Sequence, residues 1–155
     1  MTITISDPEA AAAAAIRAHH AELGAGLRQR TEGLHDAVRL GLDEAAARSE
    51  LLAFLRGELL PHAAAEERTL YPAAARGRAS LLVEAMLEEH RRLLAEVDAL
   101  AAAPAPILAA SAAAAIRALF DAHLWKENEL LVPFLAAEPD LSLAGLLGGM
   151  HELVG

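Results

Sequence analysis

Two histidines in this chain are each followed, four residues later, by a glutamate: His62 by Glu66 and His123 by Glu127. Imidazole and carboxylate groups one helical turn apart can grip a common ion, exchange a proton or hydrogen-bond each other. The two motifs belong to a longer repeat. Leu59 to Pro72 can be laid on Phe120 to Pro133, with histidine-to-glutamate spacing of four and histidine-to-proline spacing of ten in both. Ala18-His19-His20 likewise mirrors Glu88-Glu89-His90. Each half of the chain thus offers one lone histidine and one His-x-x-x-Glu, and two matching half-sites suit two metals.

The elements that must position these groups are helices. Alanine and leucine dominate, ten glycines and seven prolines punctuate, and no stretch alternates as a strand would, so the chain reads as all-α. Asp7 and Pro8 predict the cap and first turn of a helix running into the low thirties. Gly41 and Asp43 mark a break before a second helix that reaches Ala75 and bends at Pro61. Gly77 stops it, and Ser80 is expected to cap a third helix ending near Ala103. After Pro104-Ala105-Pro106, a fourth helix spans Ile107 to Ala136 with Pro133 near its end, and Leu141 to Val154 forms a small helix across one end of the bundle. Short links between four long helices predict an up-down-up-down four-helix bundle with a short extra C-terminal helix. It is expected to be a single domain over 1–155, with its core at 8–137 and a C-terminal segment at 141–154.

Helical geometry turns every long helix's histidine inward. At about 100° per residue, Val83, Met86, Leu87, Leu93, Leu94 and Val97 lie within about 60° of His90, which sits mid-stripe. His62 shares its face with Leu51, Leu55, Leu59 and Thr69, and His123 with Ile116, Leu119, Leu130 and Phe134. Glu66 and Glu127 follow on those same faces. On the first helix His20 is better centred than His19 on the stripe of Ile16, Leu23, Leu27 and Leu34. Burying four imidazoles and two carboxylates without compensation costs several kcal/mol per unpaired group. A metal pair removes that cost; a hydrogen-bonded His–Glu network is the plainer alternative. The donor set itself suits iron, manganese or zinc alike.

Other chemistries find little support. With no cysteine there are no disulfides, thiolate zinc sites, iron–sulfur clusters or thiol nucleophiles. His-Glu-x-x-His does not occur, Glu32-Gly33-Leu34-His35 is a Glu-x-x-His without a twin, and no serine stands in a Gly-x-Ser-x-Gly elbow. A net charge of -9 opposes nucleic acid, and Arg17, Arg28, Arg30 and Arg39 are too scattered to form a basic patch. The uncharged run Ala99 to Ile116 is proline-interrupted alanine and reads as a helix end and restart, not a membrane span. MTITISDPEA has no signal-peptide pattern, so a soluble, cytoplasmic protein is expected.

At these residues the chain resembles the hemerythrin family, in its bacterial branch, the hemerythrin HHE cation-binding domain. The resemblance covers about Ile16 to Leu135: His20, His62-x-x-x-Glu66-Glu67 leading to Leu70-Tyr71-Pro72, Glu89-His90, and His123-x-x-x-Glu127 leading to Val132-Pro133. It implies two non-haem iron ions, oxo- or hydroxo-bridged, held by His20, His62, Glu66, His90, His123 and Glu127, with the two glutamates bridging. The departure is on the third helix, where oxygen carriers have a second histidine one turn from the first. Here those positions are Met86 and Leu94. Fewer protein ligands open positions to water or a small molecule, and His19, His35, His151 or the phenol of Tyr71 remain as further ligands.

The function expected is a di-iron protein that binds or reacts with a small ligand such as O2, H2O2 or NO, or senses iron or oxygen. A di-iron oxidase or peroxidase acting on an organic substrate is a second expectation, with Ala63, Ala65 and Ala122 leaving room for it. A metal-free helical interaction module is a third.

Overall fold

The structure, a computed structural model, describes residues 7–154. The expected lack of a signal peptide falls partly on Met1 to Ser6, which with Gly155 lie outside the described residues. The protein is 86% helical with no strands among the described residues, and the all-α bundle with a short C-terminal helix is what it shows.

Helix α1 spans Pro8–Arg39, with Asp7 accepting from the Glu9 amide at 3.0 Å. It runs past the expected low thirties and closes where Gly41 turns left-handed at φ 67. The Gly41 and Leu42 amides then reach back to the carbonyls of Val38 and Ala37 at 3.1 and 2.9 Å. Helix α2 is composite: Ala45–Phe54, a π turn at Leu55–Leu59, Leu60–Arg68, and, after a break at Thr69, Leu70–Ala74. Helix α3 is Ser80–Ala102. Ser80 does not cap it as expected. Its amide bonds Gly77 O at 3.2 Å, so Ala79 takes the cap position without a side-chain bond. Helix α4 comprises Pro106–Lys126, a π turn at Glu127–Leu131 and Val132–Ala137. Ala103 and Ala105 before it are extended, as residues preceding proline are pushed to be. By length and composition α4 is long and apolar enough to cross a membrane, though its inner face packs against α3 and α1.

The π turns have a common cause. Pro61 and Pro133 lack an N–H, and their rings crowd the carbonyl one turn back, so the α ladder cannot pass them unchanged. Each π turn ends two residues before its proline, with Leu60 N–H bonded to Leu55 O and Val132 N–H to Glu127 O. Pro72 is preceded by the break at Thr69, where φ -125 and ψ -75 leave the helix and the Thr69 hydroxyl donates to Ala65 O at 2.7 Å. These resets rotate everything after them. Leu130, inward on a straight helix, is 45% exposed, and Leu131 takes its place at 0%. Phe134 is only half-buried, while Leu135 is fully enclosed.

Helix α3 packs on α4, α4 on α1, α1 on α2 and α2 on α3, closing the bundle. Helix α5, Leu143–Val154, rests on α1 and on the Leu60–Arg68 stretch of α2. The interior holds two apolar clusters. One contains Leu27, Leu51, Leu59, Leu93, Val97 and Ile116; the other contains Ile16, Leu70, Val83, Met86, Leu131 and Leu143. His20, His62, Glu66, His90, His123 and Glu127, all buried, lie along the helices at the level between them.

The π register makes opposite demands on two adjacent leucines. Leu131→Ala should cost about 2–5 kcal/mol, and Leu130→Ala no more than about 0.5 kcal/mol, in urea unfolding. A straight helix would reverse the two.

Candidate metal centre

His20 on α1, His62 and Glu66 on α2, His90 on α3, and His123 and Glu127 on α4 are all buried and converge at one level of the bundle. On one side stand His20, His62 and Glu66; on the other stand Glu66, His90, His123 and Glu127. Within each group the candidate ligand atoms lie within 4.8 Å of one another. Glu66 Oε1 is 3.3 Å from His20 Nε2 and 2.8 Å from His62 Nε2, and its Oε2 is 3.7 Å from His90 Nε2. Glu127 Oε1 is 3.1 Å from His123 Nε2, and its Oε2 is 3.4 Å from His20 Nε2. Both carboxylates therefore reach both halves.

Tyr71 completes the second half. Its hydroxyl donates to Glu127 Oε1 at 2.7 Å and lies 3.1 and 3.2 Å from Nε2 of His123 and His90. Nine residues beyond His62, an unbroken helix would turn Tyr71 about 180° away; the break at Thr69 swings it inward. The pseudo-twofold places Val132 at the equivalent position, so only one half has a phenol.

A further ring of side chains sets how the imidazoles present themselves. His20 Nδ1 donates to Asn128 Oδ1 at 2.7 Å, His90 Nδ1 to Glu67 Oε1 at 2.8 Å, and His123 Nδ1 to Glu89 Oε2 at 2.8 Å. Lys126 in turn pairs with Glu89. Because these oxygens only accept, each neutral ring keeps its proton on Nδ1 and aims the Nε2 lone pair at the centre. Sequence reading assigned no such role to Asn128, Glu89 or Lys126. The signal was available in the repeat, since Glu67 and Asn128 each follow a motif glutamate.

Whether metal fits can be tested on the donors themselves. Atoms bound about 2.1 Å from one ion stand roughly 3–3.5 Å from each other, and the spacings above, 2.8 to 3.7 Å, match that. His90 and His123 bring Nε2 to Nε2 at 3.0 Å, which two lone pairs do not tolerate without a cation or proton between them. His62 Nε2, though close to Glu66, makes no hydrogen bond, and Glu127 Oε2 is a second buried orphan. The residues fit a cation pair.

The family model of the hemerythrin HHE cation binding domain matches residues 11–135. The chain belongs to the hemerythrin HHE family. No curated protein and no solved structure matches it significantly. Family and cluster together make this hemerythrin-type domain a metal-binding protein.

The remaining histidines stand apart. His35 Nε2 bonds Ala110 O at 2.9 Å, and His151 is exposed on α5. His19 is exposed, with its ring 4.8 Å from that of His62. Phe120 stacks on His123 at 6.3 Å, whereas Trp125 points outward at 59% exposure. The alanines expected to leave room do not: Ala63 and Ala65 are packed and Ala122 is on the surface.

Charge in the metal-free cluster is mutually adjusted. Burial pushes His20 down, but the hydrogen bond to Glu66 and the charges of Glu127 and Glu66 outweigh it and raise its pKa above 6.5. Burial likewise opposes His123, and Glu127 and Glu66 raise it. Burial pushes Glu66 up, yet His62 and His20 hold it well below 4.5. Burial and the two glutamates drive the Tyr71 phenol far above its usual range. A raised histidine stabilises the fold below its unfolded pKa and loses that contribution as pH rises through the folded value. A depressed glutamate stabilises above its unfolded pKa and fails as pH falls. The metal-free protein should therefore be most stable between about pH 4.5 and 6.5 and weaken toward alkaline pH. The metal-loaded protein should behave oppositely over pH 6–8, gaining affinity as protons leave the imidazoles. Urea midpoints of both forms across that range check this.

Proposed function

We propose that this chain is a non-haem di-iron protein that binds or reacts with O2, peroxide or NO, or senses iron or oxygen by doing so. The observation that supports it most is that Glu66 and Glu127 each present oxygen to both histidine groups, as bridges between two closely spaced ions would. Imidazole and carboxylate donors without thiolate suit iron, and the family favours it. His90, His123 and Tyr71 would hold one ion, His20 and His62 the other. When bound, such a pair supplies Lewis acidity and one-electron exchange.

The chain's own residues define what that chemistry has to work with. Glu66 and Glu127 offset cationic charge within the bundle, and Asn128, Glu67 and Glu89 hold the rings in one tautomer. The apolar clusters on either side keep bulk water away. Tyr71 fills one half, leaving the His20–His62 half with fewer protein donors and more room for an exchangeable ligand. We take the protein to be one cytoplasmic domain whose partner is a small molecule. Its net charge of -9 weighs against nucleic acid and anionic membrane.

Protein from iron-supplemented cells should carry about two irons per chain. A clearly lower content that persists after reconstitution excludes this function. His62→Ala and Glu127→Ala should lose metal, and His35→Ala should retain it. Tyr71→Phe should keep both irons yet lose the visible charge-transfer band of a phenolate on ferric iron; a wild-type protein lacking that band excludes Tyr71 as a ligand.

A further inference from the structure

Three site histidines hand Nδ1–H to a side-chain oxygen: Asn128, Glu67 and Glu89. His62 does not, among the described residues. The pseudo-twofold that pairs His123 with Glu89 pairs His62 with His19, an exchange of carboxylate for imidazole. His62 instead borders open space. It faces a cavity of about 390 Å³ between α1, the π turn of α2 and α5. His62 Nε2 is fully buried, whereas Nδ1 is neither fully buried nor hydrogen-bonded, which makes Nδ1 the ring nitrogen open to a ligand.

The walls are mainly apolar, with Ile16, Leu23, Leu147, Met150 and Val154. Its polar lining is His19, His62, His151 and one acid, Glu58, which is exposed on the π turn. The volume is that of an organic molecule, far beyond the needs of a diatomic gas. Helix α5, which supplies Leu147, Met150, His151 and Val154, lies wholly beyond residues 11–135 that match the family. The cavity is thus walled partly by a segment outside the family match.

We propose that this cavity binds an aliphatic monocarboxylate whose oxygen accepts the Nδ1–H of His62. The hydrocarbon chain lies along the apolar wall of α1 and α5, and His19 and His151 flank the head group. The proposal rests on the metal-binding function above, because metal on Nε2 fixes the proton on Nδ1. A carboxylate is preferred over a neutral acceptor because a metal-bound imidazole is a more acidic donor. The equivalent His123 already uses one, Glu89.

Octanoate and octanol, titrated calorimetrically into metal-loaded and chelator-stripped protein, test this. Saturable binding of one octanoate per loaded chain is expected, weakened about tenfold or more for octanol and for stripped protein, the worth of a hydrogen bond to a charged group. Affinity should rise about fourfold per methylene from hexanoate to octanoate as chain is buried. Ala15→Trp, from an exposed position on the lining, and Leu147→Trp should each abolish binding while leaving metal content unchanged. Equal binding of octanol, indifference to stripping, or survival of binding in both tryptophan variants overturns the proposal. The metal count of the same sample separates the two levels. A full count without octanoate binding overturns the cavity assignment alone, whereas an empty centre after reconstitution overturns the metal function on which it rests.

Discussion

The structure is governed by one constraint: four imidazoles and two carboxylates are enclosed between two apolar cores where water cannot compensate them. Electrostatic interactions at that level are strong, and so is the cost of any group left alone. Six of the chain's polar side chains are therefore tied to a single geometry. Each helix of the bundle must keep its register relative to the other three, because a rotation of one residue would take an imidazole out of the group. Apolar packing alone would tolerate such slips far better.

The pseudo-twofold supplies two half-sites from one pattern, and its breaches give the halves different properties. Tyr71 faces the centre where its counterpart is Val132. Glu89 holds His123, where its counterpart, His19, only lies alongside His62. The result is a half enclosed by phenol and carboxylates, and a half whose outer edge adjoins a cavity. The backbone departs from the repeat too: the break at Thr69 and the π turn at Glu127–Leu131 precede the matched Pro72 and Pro133, but the π turn at Leu55–Leu59 has no counterpart in Ile116–Phe120. Leu70 with Leu131, and Ala74 with Leu135, are buried alike.

Much of this was legible in the residue pattern. The stripe around His90 identified an inward-facing ring, and the same arithmetic placed His20, His62 and His123 correctly, because each lies on a stretch whose face the local apolar residues define. The arithmetic failed C-terminal to the motifs. Leu130 was expected inside and is outside, since the π turn at Glu127–Leu131 adds a residue to the turn. Tyr71 was noticed for its chemistry, but its place in the centre depended on the backbone break at Thr69. A proline announces that a helix must adjust; it does not say whether the adjustment is a bend, a π turn or a break.

By itself, the sequence determined the all-helical class, the inward histidines and the doubled His-x-x-x-Glu, because helical periodicity and short spacings are local properties of the chain. Only the tertiary structure decided that both glutamates reach both groups, that the Tyr71 hydroxyl lies in the centre, and that Asn128, Glu67 and Glu89 orient the rings. It also decided that α5 walls a cavity against His62. These are contacts between residues far apart along the chain, and they depend on how far each helix has been turned by its own interruptions before it meets its neighbours.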